Sequence, residues 1–237
     1  MSAVAKHIQI EQDLRAKIQD GTYPPHTLIP REVDLMATYQ VSRPTVRQAI
    51  QTLVEQGLLE KRKRRGTMVK QAKIAQAFTQ VIEGYNAEMA DKGLQPQTKV
   101  LLFQTEAATD EVATNLQLAT GDSVYKLVRL RYANGQPVVL LTSYLPTKSL
   151  TKLAMVDFTQ VSLYDTLAQH HLAVDRVRRR LDVLTADETT ADLLNVTQGD
   201  PLFYFHTQGF TSQDVPVEYS IAKYRGDVNY FMMDLKR

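Results

Sequence analysis

Residues 41–69 read "VSRPTVRQAIQTLVEQGLLEKRKRRGTMV", and how this stretch divides decides the fold of the N-terminal third. Val46, Ile50, Leu53 and Val54 recur every three or four residues, the spacing of one buried helical face. Ser42 stands at the N-cap position, where its hydroxyl can accept from an orphan backbone N–H of the first turn. Pro44 is tolerated there because a first-turn residue needs no backbone donor. Gly57 stops the helix. Two short β-prone pieces follow, 58–62 and 67–69, with five consecutive cations, Lys61 to Arg65, and Gly66 between them. The stretch therefore predicts a helix followed by a small basic hairpin.

Upstream, Ile8, Ile10, Leu14 and Ile18 lie near helical spacing and Gly21 closes the pattern. "YPPHTLIP" (23–30) reads as a Pro-rich connector. "REVDLMATY" (31–39) reads as a second helix with Val33, Leu35 and Met36 inward, followed by a turn over Gln40 and Val41. Three helices and a two-stranded hairpin make a winged helix-turn-helix. The helix after Ser42 is then the recognition helix, with its N-terminal residues presented to the DNA major groove. Arg43 and Arg47 are four apart and share a face opposite Val46 and Ile50, and Thr45 points to the same outer side. A solvated basic face is the simpler reading of two arginines alone, but the wing cations weigh against it. A nuclear-localisation-type tag is disfavoured because the basic run sits between strand-like segments rather than in a tail.

The 237-residue chain suits one large domain or two ordinary ones. It has no cysteine, which fits a reducing cytoplasm and excludes disulfides, thiolate zinc sites and a cysteine nucleophile. No apolar run approaches the ~18 residues of a membrane span, and no secretory leader is visible. Net charge is only +2, but residues 1–70 carry 12 Lys/Arg against 7 Asp/Glu, and the remainder 16 against 19. That asymmetry suggests a polyanion-binding module joined to a part with another task. His170 and His171 are adjacent and cannot form an i, i+4 metal pair, and no hydrolase, metalloprotease or phosphate-loop motif occurs. No metal or cofactor is expected.

Residues 71–79 are read as a linker and 80–237 as a second domain. Helix-compatible sequence spans 78–92, then strands are expected over 99–104, 124–132, 138–145, 174–184, 202–210, 217–224 and 230–235. Helices are expected over 110–116, 149–155, 163–170 and 187–194. Asn134-Gly135 signals a hairpin turn. A degenerate repeat is visible: Asp110, Gly121, Asp122 and Pro137 correspond to Asp187, Gly199, Asp200 and Pro216. Two copies suggest one antiparallel sheet of pseudo-twofold character with flanking helices, an α+β domain. The copies differ at Arg129 and Arg131, which correspond to Thr207 and Gly209. Strand alternation puts Tyr125, Leu127, Arg129 and Arg131 on one face. Two guanidiniums at the end of an apolar face suggest an enclosed anion site, because their forks match phosphate or carboxylate; the alternative is a solvated face. "RVRRR" (176–180) reads as a solvated sheet edge.

Residues 6–70 resemble the GntR family of bacterial transcription regulators through "IPREVDLM", "VSRPTVRQAI", "LVEQGLLEK" and "RRGTMV". The resemblance implies DNA contact by Arg31, Ser42, Arg43, Thr45 and Arg47, and by a wing of Lys63, Arg64, Arg65, Gly66 and Thr67. The chain departs from the family pattern in two places. Its Ser-Glu-Arg is Arg31-Glu32-Val33 here, and Arg64 replaces the first wing glycine. A left-handed backbone at that position costs a non-glycine residue about 1–2 kcal/mol, whereas an arginine at the tip suits a narrow, electronegative minor groove.

Residues 80–237 resemble the UTRA effector-binding domain of the HutC branch, through "RLRYANGQPVVLLTSYLP", "SLYDTL" and "PVEYSIAKYRGD". That resemblance implies a chorismate-lyase-like fold and a small anionic effector such as a phosphorylated sugar. The implied contacts are Gly84, Tyr85, Arg129, Arg131, Ser162, Tyr164, Glu218 and Tyr224. Gly84 stands where relatives carry a serine, and Leu141 where they carry an acid. The expectation is a homodimeric repressor on a pseudo-palindromic duplex DNA operator, modulated by the effector. Its rivals are an effector-independent DNA binder and a lyase-like enzyme fused to a DNA-binding head.

Overall fold

The computed structural model describes residues 5–62, 65–70, 73–77, 85–150 and 153–233, which form two compact units meeting at Lys73 and Ile74. The first unit contains α1 (Lys6–Gln19), α2 (Glu32–Tyr39) and α3 (Arg43–Glu55), then β1 (Leu59–Arg62) paired antiparallel with β2 (Gly66–Val69). Ile10, Leu14, Leu35, Val46, Ile50 and Leu53 form the core, closed by Leu59 and Val69 of the hairpin. Ile8 and Val33, expected inside, are exposed. Each lies two residues from a buried one (Ile10, Leu35), about 200° around the helix and so on its far side.

Two local features differ from the sequence reading. Ser42 has N-cap backbone angles, but its hydroxyl accepts from no backbone N–H; it lies 2.9 Å from the Thr45 hydroxyl. Pro44 has no N–H to cap, and the Thr45 N–H turns back to the Ser42 carbonyl at 3.1 Å. The hydroxyl is thereby left for a side-chain partner. The "YPPHTLIP" connector also runs along β2 as a third strand-like rung. His26 N–H donates to the Val69 carbonyl, Val69 N–H to Thr27, and Ile29 N–H to Thr67. Gly66 opens β2 at φ +117°, a backbone that side-chain-bearing residues rarely adopt.

The second unit opens with β3 (Ile74–Ala77), where a linker was expected. It continues through α4 (Tyr85–Asp91), β4 (Pro96–Ala107), α5 (Asp110–Leu116), β5 (Ser123–Ala133), β6 (Gln136–Pro146) and α6 (Leu163–Gln169). It ends with β7 (Arg176–Thr185), α7 (Glu188–Leu194), β8 (Pro201–Phe210), β9 (Pro216–Arg225) and β10 (Asn229–Met232). The helix expected over 149–155 is two 3₁₀ turns, at Thr147–Ser149 and Leu153–Met155. Six strands form one antiparallel sheet in the order β4-β5-β6-β9-β8-β7, and β3 pairs separately and in parallel with β10. The Asn134-Gly135 turn joins β5 to β6 with both residues at positive φ, as a tight hairpin requires.

The strand order is a mirror of itself, so the sequence repeat is a structural one. Strand β4, helix α5 and hairpin β5–β6 recur as β7, α7 and β8–β9. The hydrogen bonds repeat as well. Gly121 N–H donates to Ala108 and Gly199 N–H to Ala186, both at 2.9 Å. Asp122 accepts from Ala119 N–H at 3.1 Å and Asp200 from Thr197 N–H at 2.9 Å. The helix caps correct the sequence alignment by one residue. Thr109, not Asp110, is the counterpart of Asp187, and each accepts from the N–H three residues on. Both hairpins carry a bulge at the same place, between Arg131 and Tyr132 and between Gly209 and Phe210.

Helices α5 and α7 cover one face of the sheet, through Val112 and Leu116 on Val124, and through Ala191 and Leu194 on Leu130 and Leu202. On the other face, Leu150, Phe158, Leu163 and Leu167 pack over Leu127 and Leu145, and Tyr85 and Met89 pack near Phe205 and Ala222. A cavity remains between these last two clusters. Buried Arg225 ties the rim of the sheet together. It donates to the carbonyls of Pro137 and Leu194, each at 3.2 Å, and pairs with Asp227 at 2.7 Å. Removing a buried guanidinium leaves these acceptors unsatisfied, so Arg225→Ala is expected to destabilise the second unit by about 3 kcal/mol. The loss is read as a shift of its urea-unfolding midpoint.

Candidate functional site

In the first unit, α3 presents Arg43 and Arg47 on its solvent side, with side chains 63% and 60% exposed. Exposed Ser42 and half-buried Thr45 lie at the same helix end, Arg31 is the exposed N-cap of α2, and Arg65, Gly66 and Thr67 lie at the turn end of the hairpin. Lys63 and Arg64 lie outside the described residues. The Glu32 carboxylate reaches both recognition arginines: Oε2 is 2.8 Å from Arg43 Nε and Oε1 is 3.8 Å from Arg47 Nε. The surface is thus a cluster of exposed cations at a helix N-terminus, flanked by a basic hairpin.

In the second unit, the cavity has a volume of about 110 Å³, several times what one water needs. Arg129, Arg131, Tyr85, Ser162, Tyr164, Glu218 and Tyr224 all line it. Gly84 lies outside the described residues. Cross-strand register explains the convergence. Leu127, Ser143, Ser220, Thr207 and Arg179 form one row across five strands, and Arg129, Leu141, Ala222 and Phe205 form the next. Residues distant in sequence therefore meet on one face.

The chemistry of the cavity is carried by a buried relay. Arg129, 2% exposed, donates from Nη2 to Ser143 Oγ at 3.0 Å, and Ser143 Oγ donates to Glu218 Oε1 at 2.7 Å. Arg131 stacks on the Tyr85 ring, 4.8 Å from its centroid. Burial first, and the Arg131 charge second, pull the Arg129 pKa down to about 9, which leaves the group cationic at neutral pH. Burial raises the Tyr85, Tyr164 and Tyr224 hydroxyls above their ordinary value, with the Glu218 charge adding to the effect at Tyr164. These hydroxyls stay protonated and can donate. Four buried polar atoms on the cavity wall have no hydrogen-bond partner: Arg129 Nε, Arg131 Nε, Tyr85 Oη and Glu218 Oε2. Unsatisfied buried atoms of this kind are rare and costly, and here they present donors and an acceptor to one space.

Three residues that matter to the site's chemistry escape the sequence reading, two on the cavity wall and one in the relay. Ser143 links the two charges, Gln76 comes from a segment read as linker, and Arg179 belongs to the "RVRRR" edge. All four arginines of that edge are exposed as expected, but Arg179 also lies in register with Thr207 and lines the cavity. The period-2 pattern of β7 was the available signal. Ser162 also has a structural task, since its hydroxyl caps α6 by accepting from Asp165 N–H. Leu141 gives the cavity an apolar patch where an acid would stand in relatives.

The relay makes Arg129 structural as well as cavity-lining. Arg129→Ala leaves the Glu218 carboxylate buried without its countercharge and is expected to destabilise the unit by about 3 kcal/mol. Adding Glu218→Gln should recover part of that loss. Chemical denaturation of the single and double variants measures the coupling.

Comparison with known proteins agrees with both halves of this geometry. Residues 7–69 match the bacterial regulatory proteins of the gntR family, and residues 91–228 match the UTRA domain. The chain is 28% identical to the HTH-type transcriptional repressor NagR of Bacillus subtilis, over 100% of this chain and 97% of that protein. It is 31% identical to the HTH-type transcriptional regulator YurK of the same organism, over 93% and 91%. It is 27% identical to the mannosyl-D-glycerate transport/metabolism system repressor MngR of Escherichia coli, over 97% and 95%. The crystal structure of PhnF from Mycobacterium smegmatis superposes with a TM-score of 0.75 at 26% identity, covering 98% of this chain and all of that one. The structural match to PhnF spans both the helix-turn-helix head and the sheet domain. The chain belongs to the gntR family of bacterial regulatory proteins, with a UTRA domain at its C-terminal side, and is a DNA-binding transcriptional regulator rather than an enzyme.

Proposed function

We propose that this regulator is a homodimeric repressor whose operator binding is set by a small anionic sugar derivative held in the UTRA cavity. One observation carries the ligand class: the unpartnered cavity atoms have two signs. The Nε donors of Arg129 and Arg131 suit a phosphate or carboxylate, and Glu218 Oε2 suits a hydroxyl donor on the same molecule. A phosphorylated or acidic sugar has both poles. Phe205, Tyr224 and Phe231 pack edge to face beside them and offer an apolar wall for a sugar ring. The relative named for a mannosyl-D-glycerate system fits this class, since glycerate carries a carboxylate.

The same cavity offers a physical route to the head. Strand β3 begins at Ile74, the first residue of the second unit, and its Gln76 lines the cavity. Gln76 donates to Asn229 Oδ1 at 2.7 Å, and Asn229 donates in turn to the Arg225 carbonyl at 2.7 Å. An effector touching Gln76, or Phe231 on β10, acts on the strand pair through which the chain enters the domain. It lowers operator affinity to the extent that it prefers the arrangement of β3 that disfavours DNA binding.

A thermal-shift screen of sugar phosphates and sugar acids tests the ligand class. A hit is expected to raise the melting temperature of the wild type, and Arg131→Ala should weaken its binding at least about tenfold, the loss of one charge-assisted contact. Equal affinity in the variant removes the anion site. On DNA, Arg43→Ala and Arg47→Ala should each cost about 1–3 kcal/mol if their forks read bases, measured by gel shift on a duplex enriched from a random library by the wild-type protein. Sedimentation of the full chain tests the dimer.

A further inference from the structure

Glu32 is an anomaly on a surface read as DNA-facing. It is a carboxylate among cations, where a phosphate backbone would repel it. Its two oxygens are divided between the two recognition arginines, Oε2 toward Arg43 at 2.8 Å and Oε1 toward Arg47 at 3.8 Å. It approaches each through Nε. A guanidinium held on its Nε side keeps its distal Nη1 and Nη2 edge available, and that edge can fork onto the O6 and N7 of a guanine. The Arg43 contact is also a hydrogen bond. The carboxylate comes from the first turn of α2, while both arginines sit on the first two turns of α3. It therefore spans the turn between the two helices.

Stability does not account for the arrangement. Both arginine side chains are more than half exposed, and exposed ion pairs contribute little to folding. Orientation is a different matter. A free arginine side chain must give up rotamer freedom to make a fork, and a partner that already holds it reduces that loss. The holding also discourages the same arginines from swinging onto any nearby phosphate.

We infer that Glu32 is a specificity-determining positioning residue: it aligns Arg43 and Arg47 for base reading and suppresses their sequence-independent use. The inference rests on the proposed base contacts of those two arginines. The test uses the full chain and two duplexes, one enriched by the wild type from a random library and one of the same composition scrambled. Affinities are measured by fluorescence anisotropy at fixed salt for wild type, Glu32→Gln, Glu32→Ala, Arg43→Ala and Arg47→Ala. For both Glu32 variants the ratio of enriched to scrambled affinity is expected to fall about tenfold, roughly the discrimination of one misaligned fork, while scrambled-duplex affinity holds or rises. A merely electrostatic Glu32 would raise both affinities together, and a merely structural one would lower both together. Either result, with the ratio kept within twofold, overturns the inference. If the arginine variants lose the ratio and the Glu32 variants keep it, only the positioning role fails. If the arginine variants also keep the ratio, the base contacts fail and the inference falls with them.

Discussion

A guanidinium almost wholly removed from water needs a countercharge and hydrogen bonds, and Arg129 finds them across the middle of the sheet. Its partner Ser143 is on β6 and the carboxylate Glu218 is on β9. The relay therefore spans the junction where the two halves of the repeat meet, since β6 and β9 are the central pair. Without Glu218 the guanidinium would be an uncompensated buried charge, and without Ser143 the two charges would not be bridged. The apolar clusters on either side pack to the edge of this polar strip, which leaves the cavity beside it.

The duplicated architecture explains why the strip is asymmetric. Two similar halves would place equivalent residues on either side of the central pair. Here the first half has Arg129 and Arg131, and the second has Thr207 and Gly209 at the positions of matching register and matching bulge. A Cβ at Gly209 would crowd Val174 at 3.3 Å and touch the Glu218 Cβ in ordinary contact at 3.6 Å, so the glycine makes room for Val174 beside Glu218. One half supplies donors, the other supplies space and an acceptor. The bulge opposite Arg131 puts its extra residue, Val138, on β6, next to the point where the arginine meets Tyr85.

The amino-acid pattern made much of this legible, and the limits have physical causes. Alternation along β5 placed Arg129 and Arg131 on one face, and the Gly-Asp turns exposed the repeat. Most strand ends were short by one to three residues, because terminal strand residues pair through backbone atoms that no side chain announces, while the start of β7 and the end of β10 were set too far out. Ser143 was missed because a serine is read as a relay only once β5, β6 and β9 are in register. Glu218 and Tyr164 were reached through family resemblance, since periodicity alone cannot bring positions 129, 164 and 218 together. Arg179 was hidden by its neighbours: four arginines in five residues look like a solvated edge, and only the strand phase separates the one on the cavity side. In the head, helical phase predicted the core but misplaced Ile8 and Val33, which lie off the buried stripe by two residues each.

The segment misread as linker has the most consequence. Residues 74–77, Ile-Ala-Gln-Ala, have one large apolar side chain to mark a strand, and they are held by backbone pairing with β10, by the packing of Ile74 and by one buried amide contact, Gln76 to Asn229. Although only four residues long, the pair is packed: Ile74 and Phe231 lie against the cluster of Tyr85, Met89 and Phe205. A ligand shifts an equilibrium only by its differential binding energy to the two states. Under the proposed function, a small anion reaching Gln76 or Phe231 has to bind one arrangement of this pair better than another, and the aromatic packing of Phe231 sets how much differential energy that takes.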